Sequence, residues 1–133
     1  MFKTQVNRKV TLKFDPESRG LSKVFKDYQQ EALRAVWQSE EGAISREVWQ
    51  HVNGRLDGGG SISRASIINF LNDMVDEGVL GYEERTGKGG YHRVYKPKMN
   101  ESELKKYIAK TILMSLMRDF PNETNEAIRA IDT

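Results

Sequence analysis

Hydrophobic and polar positions repeat with two different periods along the chain, and each change of period predicts a new element. Val10, Leu12 and Phe14 alternate with polar residues, which is typical of a short strand. From about Leu21 the apolar residues recur every three or four positions, which predicts a helix that Gly42 ends. The first part of the chain is therefore predicted to be a strand followed by a helix.

Two further helices are predicted from their capping residues. Ser45 is a suitable N-cap for the second helix, and Ser61 or Ser63 for the third. The third helix is expected to run to about Glu77 and to end at Gly78, because glycine adopts the left-handed conformation that closes a helix.

The remaining pattern predicts a hairpin and more helices. Two strand-like runs, 79–84 and 91–96, flank a glycine-rich turn, and helical periodicity returns over 100–120 and 123–131. The predicted fold class is α+β, mainly helical with one small β-hairpin. The order of the elements indicates a winged helix-turn-helix followed by C-terminal dimerisation helices.

Composition excludes several classes of function. The 133 residues include no cysteine and only two histidines, so we expect no disulfide, no metal site and no cofactor. No run approaches the roughly 20 apolar residues that cross a bilayer, which favours a cytoplasmic protein. No nucleophile, acid and base stand in a recognisable motif, so an enzyme is not expected.

The net charge is only +2, but the basic residues are concentrated in two segments. Two segments, 1–14 and 85–98, contain several basic residues each and no acidic residue. A cationic hairpin is suited to DNA phosphates, although a hairpin kept soluble by its charge remains the alternative. The hairpin residues predicted to contact DNA are Arg85, Lys88 and Arg93.

The third helix has a core face and a polar face. Its core face is predicted to hold Ile67, Leu71, Met74 and Val75. Its polar N-terminal end suits base edges in the major groove, where asparagine pairs with adenine and arginine with guanine. The residues predicted to contact DNA here are Ser63, Arg64, Ser66 and Asn69. Three acids, Asp73, Asp76 and Glu77, argue against deep insertion of the C-terminal half of this helix, because phosphates repel them.

A broad apolar stripe follows the fourth helix in steps of four. It is wider than one small domain needs, which favours a partner helix from a second subunit, and folding back on the chain's own core is the alternative. The predicted dimer-interface residues are Leu104, Ile108, Ile112, Leu116 and Phe120.

The chain resembles a known family over residues 30–117. The resemblance is carried by Ala35-Val36-Trp37, Gly42-Ala43-Ile44-Ser45-Arg46-Glu47-Val48, Ile67-Ile68 with Leu71, Met74-Val75-Asp76-Glu77-Gly78-Val79-Leu80 and Tyr95-Lys96-Pro97. In this order and spacing, these segments resemble the penicillinase-repressor family of winged-helix regulators. The resemblance implies a homodimer that binds a palindromic operator and blocks transcription. This chain departs from the family at Asp73 and Glu77, where basic residues are usual, and in residues 1–20.

The predicted domains are a basic N-terminal strand or arm over 1–20, a DNA-binding domain over 21–98 and dimerisation helices over 99–133. The predicted function is sequence-specific binding of double-stranded DNA by a homodimeric repressor. A winged helix that binds another protein, without specific DNA binding, is the alternative, and the acids of the third helix favour it.

Overall fold

The computed structural model describes residues 12–56, 60–87 and 90–131, and this part of the chain is mainly helical with one antiparallel hairpin. Two compact units, Met1–Asn100 and Glu101–Thr133, divide the chain. The elements of the first unit are a 3₁₀ turn at Gly20–Lys23, α1 at Asp27–Gln38, α2 at Ser45–Arg55, α3 at Arg64–Glu77, β1 at Leu80–Gly87 and β2 at Gly90–Pro97. Those of the second unit are α4 at Glu101–Asp119 and α5 at Pro121–Ile131.

Local capping signals place both ends of α3 where they were predicted. The Ser63 hydroxyl accepts a hydrogen bond from the Ser66 backbone N–H at 3.1 Å, and Gly78 has a φ of 84°. The prediction for α2 is wrong, because Ser45 is the first helical residue and Ile44 the N-cap. The Ile44 N–H donates to the Glu47 carboxylate at 3.0 Å, so the cap uses a side chain from inside the helix.

The N-terminal prediction fails where the structure describes it. Residues 12–14 belong to no strand, and residues 1–11 lie outside the described part of the chain. The first α-helix begins at Asp27 rather than near Leu21, because a separate 3₁₀ turn occupies 20–23. The predicted hairpin is present and longer than expected, with Tyr82 opposite Tyr95.

The loop after α1 is joined to β2 by backbone hydrogen bonds. Ala43 and Tyr95 exchange N–H and C=O bonds of 2.9 and 2.8 Å. Gly42 makes this approach possible, because a Cβ there would lie 2.7 Å from Val94 Cγ1 and the φ is +92°. The loop therefore lies against β2 only because residue 42 has no side chain.

The core of the first unit is formed by the inner faces of its helices and of the hairpin. Its fully buried side chains include Leu33, Val36, Val48, Val52, Ile67, Leu71, Met74, Val79 and Leu80. The predicted core face of α3 is thus confirmed at Ile67, Leu71 and Met74, whereas Val75 is only half-buried and Phe70 is buried. Glu77 is fully buried, so the prediction that its carboxylate would meet and repel phosphates is wrong.

The second unit buries little of its own apolar surface. Among its described residues, only Leu104 and Thr124 are buried. Pro121 begins α5, where its missing N–H costs no helical hydrogen bond, and the Thr124 hydroxyl donates to the Phe120 carbonyl at 2.8 Å. None of the helices in the described ranges is long and apolar enough to cross a membrane.

Candidate nucleic-acid interface

The first turns of α2 and α3 lie side by side. Arg64, the first residue of α3, donates from Nη2 to the Ser45 hydroxyl at 3.3 Å. Arg64 and Arg46 are exposed and form no ion pair with any residue that the structure describes. Both cations therefore add to the positive potential that backbone N–H groups create at the start of a helix.

The predicted polar residues of α3 lie at its exposed N-terminal end. Asn69 is exposed, as is Ala65 one turn before it. The Ser63 and Ser66 side chains are also at this end, but the Ser63 hydroxyl caps the helix and lies 3.0 Å from the Ser66 hydroxyl. Part of the hydrogen-bonding capacity of these two serines is thus used within α3.

Asn72 joins the hairpin to α3. Its Oδ1 accepts hydrogen bonds from Arg93 Nη1 at 2.9 Å and from the Tyr95 hydroxyl at 2.8 Å. The Arg93 guanidinium also lies 3.9 Å from the centre of the Tyr82 ring, in a cation–π contact. Both strands are therefore linked to α3 through one amide oxygen and the groups around it.

An open groove of about 570 Å³ lies between α3 and the hairpin. Arg64, Ile68 and Asn72, one turn apart, form its helical side. Tyr91 lines the other side near the end of the hairpin, with 77% of its surface exposed. The N-terminal half of α3 and the outer part of the hairpin thus border the same groove.

The other face of the hairpin carries paired charges. Glu83 Oε1 accepts from Lys96 Nζ at 2.8 Å, and Glu83 Oε2 from Arg85 Nη2 at 3.2 Å. These hydrogen bonds, Lys96 first, hold the pKa of the Glu83 carboxyl below its usual range. Arg85 is therefore exposed but paired, and the predicted contact residue Lys88 lies outside the described residues.

The segment that leads into α3 is fixed to α2. The Trp49 indole donates to the Ile62 carbonyl at 2.8 Å, and the Ile62 N–H donates to Asn53 Oδ1 at 2.7 Å. The Trp49 side chain is half-buried. In the structure its N–H also sets the direction in which the chain enters α3.

The predicted dimer residues differ widely in exposure. Leu104 is fully buried within the single chain, which removes it from any surface open to a partner. Ile108, Ile112 and Leu116 are half-buried, and Phe120 is 47% exposed. The second unit exposes further large apolar side chains that the stripe of α4 did not include: Met114, Ile128 and Ile131.

Sequence reasoning missed Asn72 as a hydrogen-bonding centre and Tyr91 as an exposed aromatic residue. The partners of Asn72 lie 21 and 23 residues away along the chain, so no local pattern in the sequence indicates them. No cluster of three or more potential metal ligands occurs among the residues that the structure describes. Comparison of the sequence with protein-family models and with curated proteins gives no significant match.

Proposed function

We propose that the first unit is a winged helix-turn-helix that binds double-stranded DNA in a sequence-specific manner. The observation that carries the proposal is the link from Asn72 to β2, because it holds the hairpin beside the exposed end of α3. A helix and a neighbouring hairpin on one surface can occupy adjacent grooves of the same duplex.

In this proposal α3 enters the major groove by its N-terminal turns. Asn69 pairs with adenine, Ala65 contacts a thymine methyl group, and Arg64 reaches guanine or a phosphate. Asp73 and Asp76 keep the C-terminal half of the helix away from the DNA, because phosphates repel carboxylates.

The outer end of the hairpin contacts the DNA backbone or the adjacent minor groove. Tyr91 is exposed at this end, where its hydroxyl can donate to a phosphate oxygen. Arg85 and Lys88 supply positive charge.

We further propose that the protein acts in the cytoplasm as a homodimeric repressor. The support is the exposed apolar surface of α4 and α5, which includes Phe120 and Ile131, together with the resemblance to the penicillinase-repressor family. Two copies on a duplex would read two half-sites of a palindrome.

Selection from a random duplex library tests this function, followed by affinity measurements from 50 to 200 mM salt. We expect an enriched palindrome and an affinity that falls steeply with salt, with a slope of about 0.9 per neutralised phosphate. Arg64→Ala and Asn69→Ala should relax the sequence preference. Arg19→Ala removes an exposed charge that is remote in sequence from α3 and should not. Weak binding that is indifferent to salt and sequence would contradict the proposal.

A winged helix that binds another protein is the second candidate. It is favoured by the pairing of Arg85 and Lys96 with Glu83, which lowers the free positive charge of the hairpin. A selection that enriches no DNA sequence, with Asn69→Ala unchanged in its residual DNA binding, would favour this candidate.

A further inference from the structure

The Arg93 side chain already makes two interactions within the protein. Its guanidinium is half-buried, is hydrogen-bonded to Asn72 Oδ1 and lies over the face of Tyr82. One of its five N–H donors and one face of its plane are therefore engaged within the protein, which holds the guanidinium against α3. A planar guanidinium that stacks on a ring and donates to an amide is well suited to fixing two elements together.

Asn72 is the acceptor on which this arrangement depends. A carbonyl oxygen has two lone pairs, and here Arg93 and the Tyr95 hydroxyl use both. Because Tyr95 also exchanges backbone hydrogen bonds with Ala43, β2 is fixed on one side to the loop after α1 and on the other to α3. The hairpin therefore has one defined direction relative to α3.

We propose that Asn72 and Arg93 are positioning residues that set the direction of the hairpin, and that Arg93 does not contact phosphate. The inference builds on the proposed DNA binding and changes the role that the sequence predicted for Arg93. It implies that a neutral amide outside the DNA contact controls how many phosphates the hairpin reaches.

A distance measurement without DNA tests the positioning role. The chain has no cysteine, so Gln50→Cys on α2 and Thr86→Cys on β1 give two unique spin-label sites. Labelled protein diluted into unlabelled protein reports distances within one chain. We expect one narrow distance distribution in the parent, a broad one with Asn72→Leu and a narrow one with the exposed control Asn69→Leu. A distribution that stays narrow with Asn72→Leu would overturn the proposal.

A double-mutant cycle on DNA tests the role of Arg93. Residues of one hydrogen-bond network couple strongly, so Asn72→Leu and Arg93→Gln should each weaken binding roughly tenfold, and the double variant by no more than about twentyfold. Asn72→Leu should also flatten the salt dependence, although it removes no charge, because the hairpin contacts are lost together.

A direct phosphate contact by Arg93 gives different results. Arg93→Gln would then flatten the salt dependence, Asn72→Leu would leave it unchanged, and the two losses of affinity would multiply. Either of the last two results would overturn the proposal. If the parent binds no duplex at all, the proposed function fails, while the distance measurement still decides whether Asn72 positions the hairpin.

Discussion

The two units of the chain differ in how much apolar surface each one buries. The first unit has a continuous core from its three helices and the hairpin, in which Leu33, Ile67 and Leu71 are fully buried. The second unit consists of α4 and α5, and among its described residues only Leu104 and Thr124 are buried. Helices with so much exposed apolar surface are typical of an interface that a partner covers.

This difference explains why the second unit is the proposed dimerisation region. The first unit buries most of its large apolar side chains within one chain, although Phe14, Tyr82 and Tyr91 are exposed. The second leaves Phe120, Ile128 and Ile131 at least 43% exposed, and their burial would stabilise a complex by roughly 25 cal/mol for each Å² removed from water.

The largest expected effect is loss of core packing in the first unit. Leu71→Ala should lower the free energy of unfolding by about 2–5 kcal/mol, because it leaves a cavity in a fully buried site. Both tryptophans, Trp37 and Trp49, lie in this unit, so urea unfolding followed by their fluorescence reports it directly. Leu113→Ala, the same change at a 42% exposed site, should alter this transition by less than about 0.5 kcal/mol. Equal losses of unfolding free energy for the two variants would contradict the difference in burial between the two units.

The next effect concerns the proposed dimer. Leu116→Asp places a charge in the apolar stripe of α4 and should weaken self-association by roughly 30-fold or more, the loss typical of a central interface residue. Sedimentation at micromolar concentration measures the change. Lys110→Asp places the same side chain on the opposite, exposed face of α4 and should leave the proposed dimer intact. A parent protein that sediments as a monomer would end the dimer proposal.

A smaller effect is expected from the charge pairs of the hairpin. Glu83→Gln releases Arg85 and Lys96, so DNA affinity should rise roughly threefold and the salt dependence should steepen by up to about 0.9 per added phosphate contact. Glu17→Gln removes the same charge at an exposed position that lines no part of the groove between α3 and the hairpin and forms no ion pair that the structure describes, and its effect should be smaller. Equal gains in DNA affinity for the two variants would mean that affinity depends on net charge and not on the release of Arg85 and Lys96.

Acidification should not reproduce the effect of Glu83→Gln. The pKa of Glu83 is lowered, chiefly by Lys96, so the carboxylate keeps its charge as pH falls through the usual glutamate range. The ion pairs are therefore lost at a lower pH than those of an ordinary glutamate. The Glu83→Gln gain in affinity measured at pH 7 should therefore persist at pH 5.

An effect of comparable size, on stability rather than on DNA binding, is expected at Tyr95. Burial raises the pKa of its hydroxyl, so the folded protein retains this proton above pH 10, where the unfolded chain loses it. The contribution to stability is complete below pH 10 and is lost as pH rises further. Tyr95→Phe should cost about 1 kcal/mol at pH 7, from one hydrogen bond, and should lessen the decline in stability above pH 10. Urea midpoints at pH 7 and 10.5 measure the loss of stability at neutral pH and its further decline at high pH. The exposed Tyr91→Phe is the control.

The features that were predicted correctly depend on neighbours in sequence. The ends of α3 follow from the Ser63 cap and from Gly78, and the hairpin from alternation around a glycine-rich turn. The exposed position of Asn69 follows from the helical period alone. Each of these signals operates within a few residues, where composition determines backbone conformation.

The features that were missed depend on partners distant in sequence or on competition between caps. Glu77 has a charged side chain, yet it is buried, and Arg93 is directed inward by Asn72, 21 residues away. At α2 both Ser45 and Glu47 could satisfy the first turn, and the glutamate does so. A periodic pattern assigns faces, but it does not identify which polar groups meet across them.

The most direct test of the proposed DNA-binding surface is a backbone amide NMR titration of the protein with a selected duplex. We predict that the largest shift changes fall on two separate stretches, residues 64–69 of α3 and the outer hairpin around Tyr91, while those of α4 and α5 remain small. Changes confined to one of the two stretches, or centred on the second unit, would contradict the account.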